Sequence, residues 1–341
     1  MNPKVRVLII RFSSIGDIVL TTPVIRCVKQ QLNEGNIEVH LITKKQFEPI
    51  VKANPYLDEV IYIDNKVSEV ADKLKDVWYD YIFDLHNNLR SAQVKRLIGT
   101  LAFTFKKHNI EKWLYVNFKI NRMPKKHIVD RYMDTTKAFG IENDNKGLDY
   151  FIPKDEFLDK SSLSEPFSKQ YVAIAIGGQH VGKVMPPSKI IEICDKLPLP
   201  VILLGGPEDS ETGRLIEQGS ENKIQNTCGE LSINESASLV RQAEVVISHD
   251  TGLMHIAAAF KKPVISIWGA TVPEFGMSPY MPGIGSKIIE PKESWDRPYS
   301  KLGDKKWYKP PFKGMEKIDV EEVRQAVEEA LDLTKANEPD A

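Results

Sequence analysis

Short apolar, largely β-branched runs alternate along the chain with stretches in which apolar residues recur every three or four positions. The runs Val5–Arg11, Glu38–Ile42, Val60–Ile63, Tyr81–Asp84, Tyr171–Ile176, Val201–Leu204, Val245–Ser248 and Val264–Trp268 predict strands. The periodic stretches Pro23–Leu32, Val67–Lys75, Ser188–Lys196, Ser210–Gln218, Glu235–Ala243 and Leu253–Phe260 predict helices. Strands alternating with helices point to parallel sheets built from βαβ units. The strands are apolar throughout rather than on alternate positions, as expected when helices cover both faces of a sheet.

The alternation breaks between about 148 and 170, a charged, serine-rich segment with Pro153 and Pro166 that reads as a linker. A chain of 341 residues has room for two domains. The expected division is 1–155, then 165–318, then a C-terminal helix and tail over 319–341. Val320, Val323, Val327 and Leu331 lie on one helical face over Val320–Leu333, and the tail is expected to fray after Lys335. Residues 291–314 carry Pro, Gly and aromatics without periodicity and predict a long loop. Two parallel-sheet halves, each with its strand carboxyl ends on a shared crevice, would place a ligand site between them.

Composition narrows the function classes. Apolar residues make up 42% and charged residues 27%, which excludes a disordered tail and a disulfide miniprotein. The three cysteines are far apart, which suits a reducing cytosol and gives no structural-zinc pattern. No run reaches the ~20 apolar residues of a membrane span, and Val5–Ile10 is too short for a secretion signal. The expected location is cytoplasmic, with peripheral contact at the inner membrane left open. The net charge of −1 disfavours a uniformly basic nucleic-acid binder, yet it hides a split. Residues 1–150 hold 24 basic and 18 acidic side chains, and residues 151–341 hold 22 and 29.

Three segments carry candidate chemistry. After the first strand come Ser13, Ser14, Gly16 and Asp17, and Thr22-Pro23 signals the next helix with Thr22 as its cap. That places residues 13–20 in a connection at the carboxyl end of a parallel strand. Gly16 is expected to serve a turn, and Asp17 either caps it or accepts a proton from a substrate hydroxyl. Gly177, Gly182 and Lys183 mimic a phosphate-binding P-loop, but Val184 replaces the Mg²⁺-binding hydroxyl and Pro186-Pro187 block the helix. Lys183 then reads either as a contact for an anionic group or as a solvated surface lysine. In the third segment the strand Val245–Ser248 leads through His249-Asp250-Thr251-Gly252 into a helix. Asp250 or Thr251 would cap it, and the amides of Thr251, Gly252 and Leu253 would form a phosphate site at its positive end. His255, one turn in, would reach the same anion or make a half-buried structural contact.

Arg11-x-Ser-Ser-Ile-Gly-Asp17-x-Val-Leu-x-Thr-x-Pro23 combined with Asp250-Thr-Gly-Leu-x-His-x-Ala-Ala258 resembles the bacterial heptosyltransferases of glycosyltransferase family nine. Tyr81-Ile-Phe-Asp84-Leu-His-Asn-Asn-Leu-Arg90-Ser91 and Lys183-x-Met-Pro186 are similar to two further family segments, and Met185 stands where the family usually has Trp. The resemblance spans about 5–275. It implies an α/β GT-B architecture of two Rossmann-like domains facing an interdomain cleft, with the acceptor on the N-terminal domain and the nucleotide sugar on the C-terminal one. It implies inverting, metal-independent transfer of a sugar, expected to be ADP-linked heptose, to a lipopolysaccharide-core or other surface-glycan acceptor, without a cofactor. By the same resemblance Asp17 is the base and Lys183 and His255 assist the leaving group. Asp250, Thr251, Gly252, Leu253, Gly177, Ser14 and Gly16 are the expected nucleotide-sugar contacts, and the ribose contact falls on Glu208 with Asp209 as its rival. The residues agree on their own terms. Glycosyl transfer needs a base and something cationic for the departing diphosphate, and no Asp-x-Asp pattern is present to hold a metal. A transferase or epimerase using a UDP sugar, and a non-catalytic sugar-nucleotide binder, are the alternatives.

Between Lys95 and Arg131 ten basic residues face two acidic ones, with Phe103, Phe105, Trp113, Tyr115 and Phe118 interleaved. This stretch reads as a surface for an anionic, lipid-linked saccharide and the membrane that carries it. A nucleic-acid patch and a solvated face are its rivals, and no nucleic-acid partner is expected. His86, Arg90, Lys106, Lys107, Arg122 and Lys125 are the candidate acceptor contacts.

Overall fold

The computed structural model of the chain describes residues 4–293, 296–303 and 314–337. Its backbone forms two compact units, one of Met1–Lys107 with Lys126–Phe151 and one of His108–Lys125 with Ile152–Ala341.

The first unit contains β1 (Val5–Ile10), α1 (Ile15–Val19), α2 (Thr22–Gln31), β2 (Ile37–Lys44), α3 (Glu48–Val51), β3 (Glu59–Ile63), α4 (Ala71–Asp76), β4 (Tyr81–Asp84), α5 (Leu89–Ile98), β5 (Leu101–Thr104) and α7 (Ile128–Met133), with α6 (Asn109–Phe118) intervening in sequence but grouped with the second unit. The strands form one sheet in the order β3-β2-β1-β4-β5, parallel throughout. Leu8, Ile10, Phe12, Ile42, Ile61, Ile63, Leu74, Ile82 and Val94 build one of its cores. The second unit adds β6 (Val172–Ala175), α8 (Pro187–Cys194), β7 (Val201–Leu204), α9 (Ser210–Gly219), β8 (Ile224–Asn226), α10 (Ile233–Gln242), β9 (Val245–His249), α11 (Gly252–Ala259), β10 (Val264–Ile267), β11 (Lys287–Ile289) and α12 (Val320–Asn337). Its sheet runs β11-β10-β9-β6-β7-β8, again all parallel. Both are Rossmann-like orders, in which the chain reverses direction across the sheet beside the first strand. The reversal falls between β1 and β4 in one unit and between β6 and β9 in the other, so both open their switch points beside the candidate segments.

Every predicted strand forms, within a residue or two at each end. Three edge strands, β5, β8 and β11, lack a sequence signal because they are short and only half buried. Helices α5, α6 and α7 were likewise not expected. Residues 13–20 are not a plain connection, since they contain the single turn α1 with Asp17 inside it, and Gly16 has no positive φ. Thr21, not Thr22, is the N-cap of α2. The hydroxyls of both threonines instead donate back to the carbonyls of Ile18 (2.6 Å) and Val19 (2.7 Å), closing the end of α1. The stretch predicted as one helix over Val67–Lys75 begins as a tighter 3₁₀ turn, Val67–Val70, before α4. The described parts of the expected loop 291–314 hold no helix or strand, and a 3₁₀ turn, Met315–Lys317, follows just beyond it. Residues 294–295, 304–313 and 338–341 lie outside the described residues. Helix α12 continues past Lys335 to Asn337, and Val320, Val323, Val327 and Leu331 pack with Ala326 and Ala330 into the core of the second unit.

Candidate functional site

At the end of β1 the chain must turn while leaving a charged residue, Arg11, inside the fold. Its guanidinium donates to the carbonyls of Ser13 (2.8 Å) and Leu85 (2.6 Å) and to the Tyr132 hydroxyl (2.8 Å), and it pairs with Asp17 at 2.7 Å. Burial alone would lower the Arg11 pKa, but the charge of Asp17 and the other partners hold it above its ordinary value. Arg11 is therefore a fixed cation whose planar fork orients the Asp17 carboxylate. The other oxygen of Asp17 accepts from the Ser14 hydroxyl at 3.0 Å and from the Ser14 amide at 3.3 Å. A quarter of the Asp17 side chain stays exposed (25%), so the carboxylate is oriented and still reachable.

The loop after β4 lies on the same sheet edge. Buried Asp84 accepts from the amides of His86 (3.0 Å) and Asn87 (2.7 Å) and pairs with Lys95 at 2.8 Å. His86 stacks edge-on against Phe12, with ring centroids 5.3 Å apart. Burial, then the nearby cations Arg11 and Lys107, push its pKa down to about 4, so the ring is neutral near pH 7. Arg90 donates to the Asn65 carbonyl at 3.0 Å and lines a separate groove with Lys66, Ser68 and Gln93.

In the second unit, the segment after β6 carries Lys183 and the segment after β9 carries Asp250. Their side chains meet at 2.5 Å, and Asp250 also accepts from the Thr271 hydroxyl at 3.3 Å. Lysine has three donors, so the pairing leaves two for an anion. Two backbone bonds brace this loop, Gly182 N to Gly303 O (3.0 Å) and Ala270 N to Gly182 O (3.1 Å). Arg297, buried, gathers the carbonyls of Trp268, Gly269 and Thr271 beyond β10. No periodic or motif signal singles out Arg297 or Thr271. Arg11 stands in the sequence as the charge closing an apolar strand and as the first residue of the family-like segment, but neither shows its hold on Asp17.

The N-cap of α11 is Thr251, in an extended conformation and with no side-chain capping bond, while Asp250 is committed to Lys183. His249 is buried at the end of β9, and its Nε2 accepts from the Met185 amide at 3.3 Å. His255 is packed inside, 2% exposed. The loop after β7 separates the two ribose candidates. Asp209 accepts from the Gly206 amide at 2.9 Å, and a Cβ on Gly177 would collide with its carboxylate. Glu208 is exposed. Asp209 is thus part of the turn, which leaves Glu208 as the accessible carboxylate.

The structure divides the acceptor candidates. His86, Arg90, Lys106 and Lys107 belong to the first unit, whereas Arg122 and Lys125 belong to the second. Within the basic stretch, Lys95 is tied to Asp84 and Arg131 is buried. Among the described residues no cluster of His, Cys, Asp and Glu has the arrangement of a metal site.

Comparison with known proteins gives the family and the fold. The profile of glycosyltransferase family 9 (heptosyltransferase) matches residues 67–293. The chain is 27% identical over 298 residues to lipopolysaccharide heptosyltransferase 1 of Campylobacter coli, covering 78% of this chain and 84% of that one. It is 26% identical over 283 residues to lipopolysaccharide heptosyltransferase 3 of Escherichia coli strain K12, covering 75% and 80%. Its fold matches the glycosyl transferase family 9 protein of Veillonella parvula DSM 2008 with a TM-score of 0.75 at 21% identity, over 96% and 97% of the two chains. It matches the E. coli ADP-heptose lps heptosyltransferase II with a TM-score of 0.71 at 18% identity, over 97% and 99%. Among the described residues no helix is long and apolar enough to cross a membrane.

Proposed function

The chain belongs to glycosyltransferase family 9, the heptosyltransferase family, and on that premise we propose that it transfers heptose from an ADP-linked donor to an anionic saccharide of the lipopolysaccharide core, with inversion. The observation that carries this reading is the Asp17 carboxylate. It is held by Arg11 and Ser14 at a strand's carboxyl end and is still a quarter exposed.

Asp17 takes the proton of the attacking acceptor hydroxyl. The acceptor oxygen bonds to the anomeric carbon from the face opposite the diphosphate, while the bond from that carbon to the diphosphate oxygen breaks. The leaving nucleoside diphosphate gains negative charge. Lys183, aimed by Asp250, meets that charge together with the amides of Thr251, Gly252 and Leu253 at the start of α11. His255 backs this site from within the helix, Gly177 and the Ser14–Gly16 turn complete the donor contacts, and Glu208 takes the ribose. His86, Arg90, Lys106, Lys107, Arg122 and Lys125 are the proposed acceptor contacts. The mechanism draws on no metal and no cofactor. Peripheral association with the inner membrane follows from a lipid-linked acceptor.

The test is Asp17→Asn, assayed with and without excess EDTA. Loss of the base is expected to lower kcat by about 10²–10⁴-fold with ADP affinity unchanged, and EDTA is expected to leave wild-type turnover intact. Near-normal turnover of the variant removes the base assignment, and strict Mg²⁺ dependence removes the metal-free mechanism.

A further inference from the structure

We infer that α6 and the segment that follows it form a docking surface for an anionic lipid bilayer. The purpose of such a surface rests on the proposed lipid-linked acceptor, but its shape is independent of it. On the helical wheel of α6, Lys112 and Tyr115 share one face, and Lys119 follows directly as the C-cap. That face is held within the second unit. The Tyr115 ring stands edge-on to Phe275 at 6.0 Å, the Lys112 ammonium lies 5.6 Å over the same ring, and Lys119 donates to the Pro298 carbonyl at 2.8 Å. The helix is thereby anchored and oriented.

The opposite face carries Ile110, Trp113 and Phe118, with Ile120 just beyond. All four are exposed, Ile110 by 73% and Phe118 by 59%. Trp113 and Phe118 pack edge-to-face at 5.3 Å, so the aromatic pair is an ordered feature of the surface. No residue of α6 is buried. A helix on a water-soluble protein ordinarily turns such a face inward, and a clustered apolar surface left outward marks an interaction site.

Charge selects the partner. Residues 106–125 hold six Lys and Arg against one acid, Glu111, which pairs with His108 at 3.0 Å. Arg122 and Lys125, in the same unit as α6, are exposed and make no ion pair among the described residues. Apolar and aromatic side chains set between open cations match a helix lying at the headgroup level of an anionic bilayer. A second copy of the chain would bring the same positive surplus to the same face and repel it.

Vesicle sedimentation tests this without donor or acceptor, so it stands or falls separately from the transferase reading. Wild-type protein is mixed with vesicles of about one-third phosphatidylglycerol in phosphatidylcholine, and with phosphatidylcholine alone, at low and high salt. The expected result is about tenfold or greater preference for the anionic vesicles, lost at high salt. The triple variant Ile110→Ser, Trp113→Ser, Phe118→Ser is expected to bind them about tenfold more weakly. It should keep the wild-type Tm and its turnover on a soluble, delipidated acceptor. Equal binding by variant and wild type overturns the inference, as does no binding of wild type to anionic vesicles at low salt.

Discussion

His249 shows what a buried polar residue at a strand end contributes. Its Nε2 accepts the Met185 amide, which only a neutral ring can do, and burial lowers its pKa to about 4. The ordinary histidine value is near 6.5. Between about 4 and 6.5 the unfolded chain therefore binds more protons, and stability rises with pH across that window. The contribution is complete above about 6.5 and is lost as pH falls toward 4; His86 acts in the same direction. For His249 it reaches up to about 3 kcal/mol. Urea unfolding at pH 7.0, 5.5 and 4.5 should show this loss, and His249→Asn should be less stable at pH 7 with a flatter profile. An unchanged slope in the variant would assign the acid sensitivity elsewhere. Asp17, Lys183 and Asp250 were legible one residue at a time, because each stands where a strand hands over to a loop. The hold of Arg11 on Asp17 was not, because its partners Leu85 and Tyr132 are 74 and 121 residues away.

At the scale of elements, α2 is pinned by a single buried residue. Arg26 forks onto Asp144 with two bonds of 2.8 Å, pairs with Asp149 and donates to the Gly147 carbonyl at 2.9 Å. Removing one partner of a buried pair leaves the other charge unsolvated. Arg26→Ala is expected to destabilise the fold by about 3 kcal/mol, read as a lower urea midpoint. Arg26→Lys should recover only part of that, since a lysine cannot make the forked contact. A midpoint within error of wild type for Arg26→Ala would show that the clamp contributes little. The pattern of apolar residues exposed the central strands well, because both their faces are covered. It missed α6, whose apolar residues face outward, and the edge strands β5, β8 and β11, which need fewer apolar residues.

For the whole molecule, the proposed donor contacts around Lys183 fall in one unit and the proposed base Asp17 in the other. Ligand binding should therefore separate them. ADP at about a hundredfold over its Kd is expected to stabilise the protein by about 2.7 kcal/mol, raising Tm, with UDP and GDP giving smaller shifts. Lys183→Ala should abolish the ADP shift, whereas Asp17→Asn should keep it. A larger shift with UDP would move the donor to a uridine sugar, and an ADP shift that survives Lys183→Ala would remove that lysine from the nucleotide site.

The sequence alone determined the alternation of buried strands and helices, the two-unit scale and the residues at the strand-to-loop junctions. These are local: a β-branched run or an apolar face recurring every three or four positions acts within a few residues. Only the tertiary structure decided which charges work together. The Arg11–Asp17 and Lys183–Asp250 pairs, the packing of Asp209 against Gly177 and the outward face of α6 depend on chain segments that sequence spacing does not bring together. A buried charge must find its partner wherever the fold delivers one. The near-neutral net charge showed neither that pairing nor the cations left open around α6.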